Sequence, residues 1–169
     1  MFFVSIDPGK HVCGWALWSV CADRALERDL IACGLWGPRV GDLILPPPLE
    51  ALTGCAVIDG VYLESMEIRG TGSKTPPSDL LAVEGVGHLF TGLLRPRKLV
   101  TWTATTWKGS VPKDVHHPRI RAALRPDEIQ TLDLAIKAAP RTSAKEILDA
   151  VGIGLYGLGR THRGGALRP

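Results

Sequence analysis

Short apolar runs with alternating polar positions predict that the first half of the chain consists mainly of β-strands. Residues 2–6 and 14–20 are rich in β-branched and aromatic residues, and the DPGK sequence at residues 7–10 predicts a turn between them. The apolar stretch inside "VIDGVYLESM" indicates a further, buried strand. The predicted strands are residues 2–6, 14–20, 29–36, 57–66 and 98–103.

Helical spacing of apolar residues dominates the second half of the chain. It is clearest over residues 79–94, where Ser78 fits an N-cap position. A helix that starts at Pro126 has an acidic first turn, which suits the helix dipole. Residues 105–111 are expected to lead into a loop. The predicted helices are residues 49–55, 79–94, 126–139 and 143–158.

Length, composition and element order fit one domain. The 169 residues are 45% hydrophobic and 22% charged, which is ordinary for a globular domain with its own core. Three strands followed by alternating helices and strands fit an α/β sheet with helices packed on it. We expect a single domain over residues 1–159, followed by a basic, flexible tail over residues 160–169.

Several classes of protein are disfavoured by composition. No uncharged run approaches the roughly 20 residues needed to cross a bilayer, so we expect a soluble protein of the cytoplasm, without a membrane partner. The four cysteines have neither the close spacing of a zinc site nor the density of a disulfide scaffold.

Acidic residues occur at points of the chain that should be apolar. Asp7 ends the first predicted strand, Glu64 ends the strand at residues 57–66, and Asp149 lies in the helical stretch "AKEILDAVGIGLYGLG". Glu146 precedes Asp149 by three positions and therefore shares its helix face. Unpaired buried carboxylates are costly, so such groups are usually paired or bind metal. Alternatively, Asp7 is a turn former and the helical pair is a solvated stripe.

The last helix also contains residues that favour close packing. Ala150, Gly152 and Gly154 are small, and glycine inside a helix costs about 1 kcal/mol relative to alanine. We therefore expect this helix to lie close against a neighbouring element.

Charge is distributed unevenly along the chain. Residues 1–94 hold six Lys and Arg against 11 Asp and Glu, whereas residues 95–169 hold 14 against six. Such asymmetry is consistent with a polyanionic partner for the second half, or with a solvated basic face. The basic side chains expected to bind nucleic acid are Arg95, Arg97, Lys98, Lys108, Lys113, Arg119 and Arg121.

Two aromatic or imidazole features accompany these cations. Trp102 fits a core position of its strand better than a base-stacking platform. The pair His116-His117 could touch a phosphate or a metal, but a solvated loop is the favoured interpretation.

Three segments resemble one known family. "SIDPGKHVCGWAL", "VYLESM" and "EILDAVGIGLYG", in this order, resemble the RuvC family of Holliday junction resolvases within the RNase H-like superfamily. The resemblance implies an RNase H-like α/β fold, with a mixed five-stranded sheet and helices on both faces. It assigns catalytic and metal-binding roles to Asp7, Glu64 and Asp149. Glu146 stands where the family usually has an aspartate or a histidine.

The resemblance also implies an activity. The family consists of crossover junction endodeoxyribonucleases that act as homodimers on branched, four-way DNA junctions. Two Mg²⁺ or Mn²⁺ ions roughly 4 Å apart serve each active site, and no small-molecule cofactor is needed. We expect the helix at residues 79–94, with Gly85 and Gly87, to form the dimer interface.

One basic stretch carries its own resemblance. "WKGSVPKDVHHPRIRAAL" resembles a segment of phage-encoded RuvC-like proteins. We therefore expect a protein that acts in the bacterial cytoplasm, encoded either by the cell or by a phage. By position, Lys108 and Lys113 are expected to meet the scissile phosphate and take part in catalysis.

Other functions remain open at the level of sequence. A nuclease that cuts RNA or RNA/DNA hybrids would need similar carboxylates, and a non-catalytic RuvC-like DNA-binding module would need only the basic surface. A sugar kinase or actin-like ATPase is disfavoured, because those proteins need two such domains around the nucleotide.

Overall fold

The computed structural model of the protein describes residues 1–21, 28–37, 44–66 and 76–165. In it, helices pack on a five-stranded sheet. The strands are β1 (Phe2–Asp7), β2 (Cys13–Val20), β3 (Arg28–Trp36), β4 (Gly60–Ser65) and β5 (Leu99–Thr103). The helices are α1 (Pro47–Cys55), α2 (Pro77–Leu94), α3 (Ala104–Trp107), α4 (Lys113–Ala122), α5 (Pro126–Ala138) and α6 (Ala144–Gly157), with a 3-10 turn at Arg163–Gly165.

The sheet is mixed, and its strand order is β3-β2-β1-β4-β5. β1 pairs antiparallel with β2, which places Asp7 opposite Gly14, and parallel with β4, which places Ile6 beside Leu63. β4 in turn runs parallel to β5. Because β1, β4 and β5 share one direction, their carboxyl ends meet at one edge of the sheet. The prediction of a mixed five-stranded α/β sheet is confirmed.

Helices cover both faces of the sheet, so apolar residues of the strands form a core on each face. On one face, Ile6 and Leu63 pack with Leu49 of α1 and Phe90 of α2. On the other face, Trp18 of β2 packs within a second core. That core also includes Ile120 of α4, Leu132 of α5, and Ile147 and Leu155 of α6. The predicted helices on both faces are therefore present.

Helix α6 lies very close to the sheet because glycine occupies the contact points. A β-carbon on Gly154 would lie 2.2 Å from the indole Nε1 of Trp18, and one on Gly14 would lie 1.9 Å from the carbonyl oxygen of Glu146. Neither position can take a larger residue unless the helix moves. The close approach expected from the small residues of this helix is confirmed.

Helix α4 was not predicted, and helix α2 begins differently from the prediction. α4 carries Pro118 in its interior and buries only His116 and Ile120, so it lacks an apolar repeat. α2 begins at Pro77 without a side-chain cap, whereas the sequence predicted Ser78 as the cap. Proline is well suited to a first helical turn because its missing N–H would have no intrahelical partner.

Residues 160–165, which the sequence assigned to a flexible tail, have contacts with the rest of the domain. The guanidinium of Arg160 donates to both carboxylate oxygens of Glu128, over 2.6 and 2.8 Å. Thr161 is buried, and Gly164 and Gly165 turn the chain with φ angles of 80° and 78°. Residues 166–169 of the predicted tail lie outside the described residues.

Among the helices that the structure describes, none combines the length and apolar character needed to cross a membrane.

Candidate active site

Four acidic side chains converge at the carboxyl edge of β1 and β4. Asp7 is the last residue of β1 and Glu64 the penultimate residue of β4, so parallel pairing brings them to the same edge. Glu146 and Asp149 lie in the first two turns of α6. Asp7, Glu146 and Asp149 each offer a carboxylate oxygen, and these oxygens lie within 4.8 Å of one another. We call these three residues the carboxylate cluster.

Gly14 explains why α6 can deliver two carboxylates to the end of β1. Gly14 is the strand partner of Asp7, and its missing side chain leaves room for the backbone of Glu146. The first turn of α6 therefore rests directly on the strand pair that ends in Asp7.

The electrostatics of Asp7 fit a cation site. The side chain is only 6% exposed. Burial, followed by the negative charges of Glu64 and Asp149 and by interaction with Glu146, raises the pKa of Asp7 well above its usual value. No lysine or arginine in the described parts of the chain forms an ion pair with Asp7. Asp7 therefore has acidic neighbours and no ion-pair partner among the described residues, although it interacts electrostatically with Lys113.

Glu64 stands beside the carboxylate cluster, not within it. The indole N–H of Trp107, the last residue of α3, donates a 2.8 Å hydrogen bond to Oε2 of Glu64. Burial raises the pKa of Glu64, and the hydrogen bond from Trp107 opposes that rise. Glu64 thus adds a fourth carboxylate whose orientation is set by a neighbouring element.

The negative charge of Asp149 is balanced by neighbouring cationic side chains. Its Oδ2 accepts a hydrogen bond from Nζ of Lys113 over 2.5 Å, and its Oδ1 lies 3.0 Å from Nε2 of His117 and 3.6 Å from Nζ of Lys108. Burial alone would raise the pKa of Asp149, but the contacts with His117 and Lys113 and the charge of Lys108 lower it to about 2. Asp149 is therefore ionised at neutral pH.

The structure brings only some of the predicted basic residues to this site. Lys108 and Lys113 reach it directly. Arg95, Arg97 and Lys98 precede β5, and the N–H of Arg97 bonds to the carbonyl of Ile58, just before β4. They therefore lie at the amino edge of these strands, and strands of five or six residues separate the two edges by about 17–20 Å.

Arg119 and Arg121 lie on α4 and have contacts within the domain. Arg119 donates to the carbonyl oxygen of Gly164 over 3.2 Å, and Arg121 forms an ion pair with Asp133 over 2.8 Å. The Asp133 pair raises the pKa of Arg121 further above its usual range. Both side chains are on the element that carries Lys113.

Two residues near the carboxylates were not identified from sequence. His117 contacts Asp149 from α4, and His116 is buried, so the favoured interpretation of a solvated loop pair is wrong. Trp107 stands among basic residues in the sequence, and the sequence pattern assigns it no role. Lys113 and His117 are four residues apart, so a predicted helix would have placed them on one face.

Trp102 packs inside the domain, as its strand position predicts. Its ring stacks on Tyr62 with centroids 5.1 Å apart and meets Tyr156 edge-on at the same distance. These contacts occupy the ring and account for its position on β5.

The donor set fits a hard divalent cation. Mg²⁺ and Mn²⁺ prefer carboxylate oxygens, and three such groups converge here with a fourth alongside. The excess negative charge around Asp7 is what a cation would offset. Lys108 and Lys113 add positive charge on the side of Asp149, where an anionic substrate group could approach.

Comparison with known proteins gives a match at the level of three-dimensional structure. Neither the protein-family models nor the curated proteins contain a match to this sequence. RuvC of Thermus thermophilus superposes with a TM-score of 0.53 at 18% identity, covering 92% of each chain. The Fowlpox virus resolvase in complex with Holliday junction DNA gives 0.56 at 19% identity, covering 94% of this chain and 97% of the resolvase.

A second structure of the Fowlpox virus Holliday junction resolvase agrees, with a TM-score of 0.55 at 16% identity over 94% of this chain and 99% of the other. The similarity spans nearly the whole length of each protein. The chain therefore has the RNase H-like fold of RuvC and of the poxvirus Holliday junction resolvase.

Proposed function

We propose that this protein is a metal-dependent endonuclease that resolves four-way DNA junctions by hydrolysing phosphodiester bonds. The observation that carries the proposal is the convergence of Asp7, Glu146 and Asp149 beside Lys108 and Lys113, on a fold shared with junction resolvases. A cluster of buried acids next to cations suits an enzyme that brings metal ions and a phosphate together.

The carboxylates would hold Mg²⁺ or Mn²⁺. Asp7 and Asp149 are nearly buried, with exposures of 6% and 3%, so they can present fixed oxygens, and Glu64 and Glu146 complete the set. Two bound ions supply an activated water and stabilise the leaving oxygen in such hydrolysis.

Lys108 and Lys113 would contact the scissile phosphate. Both ammonium groups lie at Asp149, and Lys113 is about half exposed, so it can reach an incoming anion. Arg119 and Arg121, on the helix that carries Lys113, would add further contacts with the DNA backbone. Arg95, Arg97 and Lys98 lie at the other edge of the sheet, and we assign them to DNA further from the cut. Phosphate contacts of this kind dominate affinity and depend steeply on salt.

A homodimer would place two such sites on opposed strands of a junction. Helix α2 presents Leu81, which is 68% exposed, and Leu89, which is 39% exposed. Gly85 lies between them, and a β-carbon there would meet nothing within 4 Å. Gly87 faces the other way, against Leu63 and Pro8, so only Gly85 supports the expected interface.

The proposal is tested by cleavage of labelled four-way junction, flap, duplex and RNA/DNA hybrid substrates. We expect wild-type protein to cut the junction in paired positions with Mg²⁺ or Mn²⁺ and not in EDTA. Asp7→Asn should bind the junction but not cut it. Preferential cutting of the hybrid would favour an RNase H-like activity instead, and junction binding without any metal-dependent cleavage would favour a DNA-binding module.

A further inference from the structure

The indole of Trp107 holds the carboxylate of Glu64 by a hydrogen bond. The resemblance to the resolvase family does not imply this contact. The N–H of Trp107 donates to Oε2 of Glu64 over 2.8 Å, and no other side chain in the described parts of the chain donates a hydrogen bond to this carboxylate. Glu64 lies near the end of a strand, where its side chain would otherwise have several rotamers. The hydrogen bond therefore selects one carboxylate orientation at the edge of the carboxylate cluster.

The indole itself has little freedom to move. Trp107 is 1% exposed, and His116 lies against its ring with centroids 5.1 Å apart. On another side is α6, where a β-carbon on Gly152 would come within 2.9 Å of the indole Cζ3. Gly152 is three residues after Asp149, on the same helix. Trp107 therefore links the Glu64 carboxylate to α6, the helix that carries Asp149.

We propose that Trp107 is a positioning residue that orients the Glu64 carboxylate for metal binding. The inference rests on the proposed metal-dependent function. Hydrogen-bond partners that orient metal ligands typically change metal affinity or activity by roughly 10–100-fold when they are removed. The ring of Trp107 also fills space between α3, α4 and α6, but packing alone does not require the N–H.

The N–H can be removed while most of the ring is kept. Trp107→Phe retains an aromatic side chain and deletes the donor to Glu64. Trp102→Phe is the matched control, since Trp102 is also an aromatic residue in this part of the domain but packs on Tyr62 and Tyr156. Circular dichroism and thermal unfolding establish that each variant is folded.

The measurement is calorimetric titration of the free protein with Mn²⁺. We expect Trp107→Phe to weaken Mn²⁺ binding roughly 10–100-fold and Trp102→Phe to change it less than about twofold. Glu64→Gln should also weaken binding, and adding Trp107→Phe to Glu64→Gln should weaken it little further, because both changes act on one ligand. Wild-type affinity in folded Trp107→Phe, or fully additive losses, would overturn the role of Trp107.

A spectroscopic measurement keeps the test open if Trp107→Phe does not fold. The chain has five tryptophans, and their indole N–H signals can be followed by ¹⁵N-¹H spectroscopy in otherwise unaltered protein. Titration with Mg²⁺ should shift the Trp107 indole signal in wild type and not in Glu64→Gln. If the Trp107 signal does not shift at Mg²⁺ concentrations that saturate the metal site in calorimetry, Trp107 does not orient Glu64 for metal binding. If wild-type protein binds no metal at all, the proposed metal-dependent function is itself rejected.

Discussion

Gly14 of β2 lies directly under the carbonyl oxygen of Glu146, at a distance that leaves no space for a β-carbon. The same glycine is the strand partner of Asp7. One residue without a side chain thus sets the spacing between the strand that ends in Asp7 and the helix that carries Glu146 and Asp149. The geometry of the carboxylate cluster depends on this backbone contact.

Gly14→Ala should therefore disrupt the cluster. The new β-carbon would lie 1.9 Å from the Glu146 oxygen, so the first turn of α6 must move. We expect a loss of about 1–3 kcal/mol in the free energy of unfolding, as for other overpacked sites, and a large loss of junction cleavage. Gly54→Ala is the control, because a β-carbon there meets nothing within 4 Å. Urea unfolding and cleavage assays should separate the two, and unaltered cleavage by Gly14→Ala would contradict the geometry.

Asp7→Asn should stabilise the metal-free protein. The pKa of Asp7 is raised in the fold, so the native state holds this proton more tightly than the unfolded state and loses stability as pH rises above the unfolded value. Asparagine stays neutral and avoids that loss. We expect a higher Tm than wild type at pH 7 in EDTA, with about 2–4 °C for each kcal/mol gained, and no difference below pH 3.8.

Metal should reverse the comparison. Mg²⁺ should raise the Tm of wild type more than that of Asp7→Asn, because only wild type offers the full set of ligands. A lower Tm of the variant in EDTA at pH 7 would show that Asp7 is not strained by its acidic neighbours.

Sequence patterns located the acidic residues well because strand ends and an apolar helix are local features. Asp7, Glu64 and Asp149 each interrupt an apolar pattern. The parallel pairing of β1 with β4, which brings Asp7 and Glu64 to one edge, was not predicted. His117 and Trp107 were not predicted as site residues, because their partners Asp149 and Glu64 are distant in sequence. In addition, α4 has no apolar repeat that would reveal it as a helix.

Nearness in sequence was misleading for the basic residues. Lys98 and Lys108 are ten positions apart, but β5 runs between them and carries the chain from one edge of the sheet to the other. The contact made by Arg160 could not be predicted from sequence for a related reason. Arg160 looks like part of a basic terminus, and only the fold reveals its partner, Glu128 on α5.

Arg160→Met should destabilise the fold at neutral pH. Burial alone would raise the pKa of Glu128, but Arg160 and the N–H groups of Arg125 and Leu30 lower it. Without Arg160 the buried carboxylate keeps only the Arg125 guanidinium, 3.6 Å from Oε1, as a counter-charge. Breaking a buried pair typically costs about 3–5 kcal/mol, and the remaining pair with Arg125 places the expected loss at the lower end of that range. Arg121→Met is the control, since its pair with Asp133 is exposed and should contribute little.

The effect of Arg160→Met should depend on pH. The depressed pKa of Glu128 means that its contribution is present above its usual pKa of 4.5 and is lost as pH falls through the folded value. Urea unfolding at pH 7 and at pH 3 should show a smaller difference between wild type and variant in acid. An equal difference at both pH values would argue that Arg160 acts through packing alone.

Leu89→Glu should separate a dimer without unfolding the protomer. Leu89 is partly exposed on α2, so a charge there tolerates water in a monomer but not in an apolar interface. Phe90→Glu is the contrasting change. Phe90 is fully buried against Trp36, so the Phe90→Glu variant should fail to fold. Sedimentation should show folded Leu89→Glu monomers that do not make paired cuts. A dimer that survives both Leu81→Glu and Leu89→Glu would place the interface elsewhere.

Lys113→Met should tighten metal binding by the free protein. The Lys113 ammonium group occupies Oδ2 of Asp149, so a cation must compete with it for that oxygen. A hydrogen bond between charged groups contributes about 1.5–3 kcal/mol, and the half-exposed position of Lys113 reduces this, so we expect several-fold and at most about tenfold tighter Mn²⁺ binding.

A matched lysine distinguishes direct competition from the general field of a positive charge. Lys10 pairs with Asp79 over 2.8 Å, and Lys10→Met removes one charge without touching the carboxylate cluster. Its effect on Mn²⁺ affinity should be small and should vanish at about 0.5 M salt, where charges more than a few ångströms apart are screened. The effect of Lys113→Met should persist there, while junction cleavage falls because the proposed phosphate contact is lost. Equal responses of the two variants would mean that Lys113 acts only through its charge at a distance, and that Asp149 is free to bind metal in the resting protein.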